Sequence, residues 1–136
     1  MSRLTIYLGK LIGIFLLVIS LAMALDKASL VEIVTALIDD RALLLIVGMM
    51  ALVAGLGIVL GHNVWSGGVL PVLVTLFGWL LVFRGLVLLL VPSETLIAYF
   101  QFLRFDDLFY AYAGITFLLG LIFSYAAFSS RAEYSN

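Results

Sequence analysis

Four long, uninterrupted apolar blocks constrain this chain more than any other feature. They run from about Leu4 to Leu25, Ala42 to Leu60, Val69 to Val91 and Leu108 to Phe128. A helix crossing about 30 Å of hydrocarbon needs about 20 apolar residues, and each block is long enough. The blocks are continuous rather than alternating. In lipid a helix satisfies its own backbone hydrogen bonds, so helices are expected in preference to barrel strands. The expected fold is an all-α membrane protein, one domain over residues 1–136 with four transmembrane helices. Composition agrees. Of 136 residues, 65% are hydrophobic and 11% charged, whereas a soluble domain has about 45–50% and about 25%.

Several kinds of chemistry are excluded at once. The chain has no cysteine, so disulfides, thiolate metal sites and cysteine nucleophiles are absent. His62 is its only histidine, too few for a zinc site or a bis-histidine haem. There is no basic patch of the kind that holds nucleic acid. No nucleophile–base pair or phosphate-binding loop is visible, so a non-enzymatic protein without cofactor is expected.

The connectors carry the polar residues. Leu30, Ile33, Val34, Leu37 and Ile38 recur at helical spacing between the first two blocks. Ser29 and Glu32 have the spacing of a capping box at the start of that segment. It reads as a short amphipathic helix on the membrane surface, closed by Asp39, Asp40 and Arg41. The loop from Gly61 to Gly68 is short, so the second and third spans are expected to be antiparallel neighbours. Trp65 suits the interface. Pro92 to Thr95 reads as a helix stop followed by a new N-cap. The aromatic segment Leu96 to Phe105 is a second interfacial helix, packing in the interface or on a partner. Asp106 and Asp107 are expected to open the fourth span, where carboxylates favour the helix dipole. Ser129 to Asn136 reads as a short polar tail.

The two halves look alike. Leu11-Ile12-Gly13 aligns with Leu76-Phe77-Gly78, Asp40 with Asp106 and Gly48 with Gly114. A tandem two-helix repeat is one reading, and its units would be parallel. The alternative is chance matching of apolar sequence. If a pseudo-twofold axis relates the halves, the acidic pairs Asp39-Asp40 and Asp106-Asp107 could converge to hold a hard cation. The plainer reading gives them helix-end and topological roles.

Charge sets the orientation. The side with the N-terminus, the 61–68 loop and the C-terminus carries Arg3, Lys10, Arg131 and Glu133. The other side carries Lys27, Arg41 and Arg104 with seven acids, so basic residues alone give a tie. The basic N-terminus of the first span decides for cytoplasmic termini. Ala22-Met23-Ala24 resembles a signal cleavage site, but the first block is read as a retained span. Lys10 reads as a snorkelling residue at the membrane edge.

Arg84 lies inside the third block. A charge at a helix centre costs about 2.5–3.5 kcal/mol on insertion scales, so it needs a partner or a route to the interface. One reading is a structural ion pair with Asp39, Asp40, Glu94, Asp106 or Asp107. The other is a ligand-anion or proton-path residue. Gly9-x-x-x-Gly13, Ala51-x-x-x-Gly55 and Gly57-x-x-x-Gly61 have the spacing that lets helices approach closely.

The stretch Gly61-His62-Asn63-Val64-Trp65, then Thr75-Leu76-Phe77-Gly78-Trp79 and Arg84-Gly85, resembles a pattern in small bacterial four-span integral membrane proteins of unknown function. The likeness covers the middle third of the chain. It implies a bacterial inner-membrane protein and groups His62, Asn63, Trp65, Thr75, Trp79 and Arg84 as one candidate set. Trp79 and Arg84 are about 140° apart around a helix, so they do not share a face. The leading functional expectation is an accessory or structural subunit, in contact with membrane lipids and packing on another membrane protein or on itself. A homo-oligomeric channel or small transporter is the alternative. A lipid- or quinone-binding module using His62, Trp65 and Trp79 is the weaker one.

Overall fold

The computed structural model describes residues 1–132, with side chains to residue 130. The last four residues of the polar tail, Glu133 among them, lie outside the described residues. The chain forms six helices in this part: α1 (Arg3–Leu25), α2 (Lys27–Asp39), α3 (Arg41–Gly61), α4 (Val69–Leu90), α5 (Ser93–Phe102) and α6 (Phe109–Ala132). Four of them, α1, α3, α4 and α6, are long and apolar enough to cross a membrane. The expected spans therefore hold to within a few residues. The fourth gains most, because α6 runs on to Ala132.

Single aspartates break the chain between helices. Asp26 closes α1 with a backbone N–H bond to the Ala22 carbonyl, and its carboxylate accepts the Ser29 N–H at the start of α2. Asp40 closes α2 on Ala36 and accepts from the Ala42 and Leu43 N–H groups of α3. Each short side chain satisfies donors that a helix start leaves orphaned. This corrects the capping-box reading. Ser29 sits inside the first turn of α2 as a donor to Asp26, and Glu32 has no part in the cap. At Pro92 the N-cap role falls on the proline itself, with no side-chain cap bond. Gly67 and Gly68 have φ of +90° and +122°, a region where a Cβ is strained, and they turn the 61–68 loop into α4.

The four long helices associate as two tight pairs, α3 with α4 and α1 with α6. Glycines set both. A Cβ on Gly55 would lie 2.5 Å from the Val82 nitrogen, and one on Gly85 would lie 2.7 Å from the Leu52 nitrogen. Gly13 and Gly120 do the same between α1 and α6, against Ser124 and Leu17. Such close backbone approach is how helices gain contact where water supplies no hydrophobic drive. Of the three small-residue motifs, the first two lie in contacts. Gly57 and Gly61 face open space.

Among the described residues, the buried cluster that the two pairs share lies toward one end. Ile12 and Leu16 of α1, Leu70 and Val74 of α4, and Phe123 and Ala127 of α6 form a buried cluster in the half nearest the N-terminus. Phe77 packs on it, edge to face with Phe123 at 5.9 Å. The second cluster, Leu44, Leu88 and Leu96, joins α3, α4 and α5 and holds no residue of α1 or α6. At that end α2 and α5 pack on each other, and α2 also packs on α3.

Candidate functional site

Polar side chains buried in apolar surroundings must find partners, because an unmade hydrogen bond there costs about 1–3 kcal/mol. Four polar residues are buried among those described: Thr5, Ser20, His62 and Thr75. Ser20 bonds the Leu17 carbonyl of its own helix. The other three meet at one place, where the start of α1, the end of α3 and the first turns of α4 come together.

His62 stands at the centre, 2% exposed. Its backbone N–H closes α3 on the Ile58 carbonyl at 2.6 Å. Its ring reaches two hydroxyls on two other helices. Nε2 is 2.7 Å from Thr5 Oγ1, and Nδ1 is 3.4 Å from Thr75 Oγ1. Thr5 Oγ1 is 2.7 Å from Ser2 Oγ, which also accepts the Thr5 N–H at 3.1 Å. Thr75 accepts the Val64 N–H at 3.0 Å and faces the carbonyls of Val64, Pro71 and His62 at 2.9, 3.0 and 3.3 Å.

Either tautomer of a neutral imidazole can be satisfied here, and in one of them the donors run in a single direction. Thr75 gives its single proton to a surrounding carbonyl, so its oxygen is free to accept from Nδ1–H. Nε2 then accepts from the Thr5 hydroxyl, and Thr5 accepts from Ser2. The cluster thus ties three helices and the 61–68 loop together by side-chain bonds.

The predicted set separates into three parts. His62 and Thr75 meet, and both are buried. Asn63 and Trp65 turn outward, with Trp65 Nε1–H donating to Asn63 Oδ1 at 2.8 Å and the indole 57% exposed. Trp79 and Arg84 lie on the exposed surface of α4, away from the histidine. Ser2 and Thr5 were missed. They are 57 or more residues from His62 in the chain, and nothing in local spacing links them.

Arg84 makes no ion pair or side-chain hydrogen bond among the described residues, so the expected pairing with a helix-end carboxylate is not made within this chain. The carboxylates are engaged elsewhere or stand apart. Asp106 meets Lys27 at 3.2 Å and Asp107 meets Arg104 at 2.8 Å. Both precede α6 in a turn that follows Arg104, whose φ of +48° ends the α5 segment. The expected start of the fourth helix at this pair thus shifts to Phe109, where the ion pairs leave off. Asp39 lines a cavity of about 540 Å³ between α2 and α5 together with Asp106 and Asp107, whereas Asp40 caps α3. The four carboxylates do not form one cation site, and no cluster able to hold a metal occurs among the described residues. Lys10 lies 4.6 Å over the Phe128 ring. Its charge thus meets an aromatic face of α6.

No protein-family model, curated protein or solved structure matches this chain.

Proposed function

We propose that this protein is a non-enzymatic, four-span subunit of a bacterial inner membrane that packs against other membrane helices. The observation that carries the reading is the division of the bundle. Two helix pairs share a core at one end, while at the other end Arg84 stands exposed and without an ion pair among the described residues. A fold that closes one end and leaves an intramembrane charge open at the other fits a component of a larger assembly. Native mass spectrometry of the protein extracted from its own membrane in mild detergent tests this. A stoichiometric foreign membrane protein is the expected result, and a lone monomer retaining only lipid refutes it. A channel or transporter gains no support from the buried polar residues, three of which gather at one end.

The architecture belongs to the same proposal. Helices α2 and α5 are read as interfacial, the termini as cytoplasmic, and the chain as a tandem repeat of two spans and a connector. Helix bounds support the repeat, since α1, α2 and α3 recur as α4, α5 and α6 about 65 residues on. Exchanging the halves also exchanges the α3–α4 pair with the α6–α1 pair. Gly55 against Val82 has its counterpart in Gly120 against Leu17, and Gly13 against Ser124 in Gly78 against Val59. This register pairs Gly48 with buried Ala113 instead of Gly114, which faces open space, and so corrects the sequence alignment. It also dissolves the match of Asp40 with Asp106. The repeat predicts equal sensitivity at equivalent glycines. Gly55→Leu and Gly120→Leu should each lower stability by about 3 kcal/mol through overpacking, and Gly57→Leu should change little. Unfolding in detergent measures all three, and tolerance of Gly120→Leu alone would break the equivalence.

A further inference from the structure

Arg84 lies on the side of α4 that, one seven-residue step earlier, packs on the α1–α6 pair. Leu70, Phe77 and position 84 follow one another at that step, so they share a side of the helix. Leu70 is 1% exposed in the shared core, and Phe77 packs on it. At Arg84 the shared core has ended and the residue is exposed. The guanidinium therefore stands where α4 has a packing face and lacks the helix to pack on.

We propose that this face of α4 receives a span of another membrane protein, one that carries an aspartate or glutamate at the depth of Arg84. The proposal rests on the subunit reading above and names the chemistry of the partner. Charge complementarity selects it. A permanently charged guanidinium in hydrocarbon is satisfied by a carboxylate, often as a bidentate pair. The spans of a second copy of this chain supply none, since α1, α3, α4 and α6 contain no Asp or Glu. A lipid phosphate is disfavoured by direction. Arg84 is six residues before Leu90, the nearer end of α4, which is about 9 Å along the axis. Its Cα–Cβ bond tilts toward the helix N-terminus, away from that end. Under the tandem-repeat reading the matching residue of α1 is Ile19, itself 39% exposed, so the fold accommodates an aliphatic side chain at this position.

The test uses a defined probe, a single-span Leu/Ala peptide with one Glu, Gln or Lys six residues from one end, reconstituted with the full chain in phosphatidylcholine vesicles. Energy transfer reports association. The wild-type protein should bind the Glu peptide at least tenfold more tightly than the Gln peptide. Arg84→Lys should keep that preference, Arg84→Leu should abolish it, and Arg84→Glu should transfer it to the Lys peptide. Equal binding of the Glu and Gln peptides, or a Glu preference that survives Arg84→Leu, overturns the proposal. Native mass spectrometry separates this from failure of the subunit reading. A foreign partner that stays bound to Arg84→Leu sinks the carboxylate proposal and leaves the subunit reading standing. Loss of a retained phospholipid in Arg84→Leu, with the foreign partner unmoved, assigns Arg84 to lipid and overturns the proposal as well.

Discussion

The two ends of this bundle meet the same physical demand in opposite ways. At the His62 end, polar groups are buried and answer one another through Ser2, Thr5, Thr75 and three carbonyls. At the other end, charges are exposed. Some are paired at the surface, as Lys27–Asp106 and Arg104–Asp107 are, and Arg84 has no partner among the described residues. The His62 cluster is satisfied within the described residues, and Ser124 Oγ, against Gly13, is the one buried polar side-chain atom among them left without a partner. The other end becomes complete only against its surroundings. Stability and assembly should therefore respond to different residues, and substitutions at the two ends can break that division.

The largest effect in this contrast is expected at His62. His62→Ala removes a ring that is 2% exposed, together with its bonds to Thr5 and Thr75 across three helices. A loss of about 3 kcal/mol follows from the cavity and the lost bonds between helices. Thermal unfolding in detergent reads it, and a change below a quarter of that would make the cluster incidental. Thr75→Val keeps the shape and removes the acceptor of the Val64 N–H. About 2 kcal/mol is expected, with faster hydrogen exchange at Val64 as its local signature.

How much of this could be read from the sequence differs between the two ends. The spans were legible because lipid forces long continuous apolar helices, and the antiparallel α3–α4 pair was legible from its short loop. The buried cluster was only half legible. His62 and Thr75 stand in one local stretch, but Ser2 and Thr5 join them through the docking of α1, which no local pattern encodes. Arg84 stood out at once, yet its expected ion pairs failed. Proximity to a membrane edge does not determine which side of a helix a residue occupies, and Asp106 and Asp107 already had Lys27 and Arg104 closer at hand. The glycine motifs show the same limit. Gly13 and Gly55 fit a contact while Gly57 and Gly61 do not, because spacing fixes a stripe and only packing decides which stripe is covered.

A smaller effect belongs to the water-facing caps of the acidic end. Bonds from the Ser29 hydroxyl and the Ser29 N–H hold the Asp26 carboxyl below its ordinary value of 3.8. A depressed carboxyl contributes stability that is present above the unfolded-state value and is lost as pH falls through the lower folded-state value. Protection of the first-turn amides of α2 should therefore hold at neutral pH and fall only in the acid range below about 3.8. Hydrogen exchange as a function of pH measures this. Asp26→Asn should keep the cap, since asparagine also accepts from a helix start, and should remove the pH dependence. If the amides open equally in both proteins as pH falls, Asp26 is not the group responsible.

The least effect on the isolated chain is expected at Arg84, and that is what makes it informative. A residue held by partners inside the fold costs stability when removed, as His62 does. Arg84 has no such partner among the described residues, and it is exposed. Arg84→Leu should therefore leave unfolding of the purified protein unchanged to within about 0.5 kcal/mol, the ordinary range for surface substitutions, or shift it upward because a charge has left the apolar face. The same substitution should weaken association with a carboxylate-bearing span. A fall of 2 kcal/mol or more in the isolated chain would place Arg84 with His62, as a residue that holds the bundle together, and the division between a self-sufficient end and an open one would have to be given up.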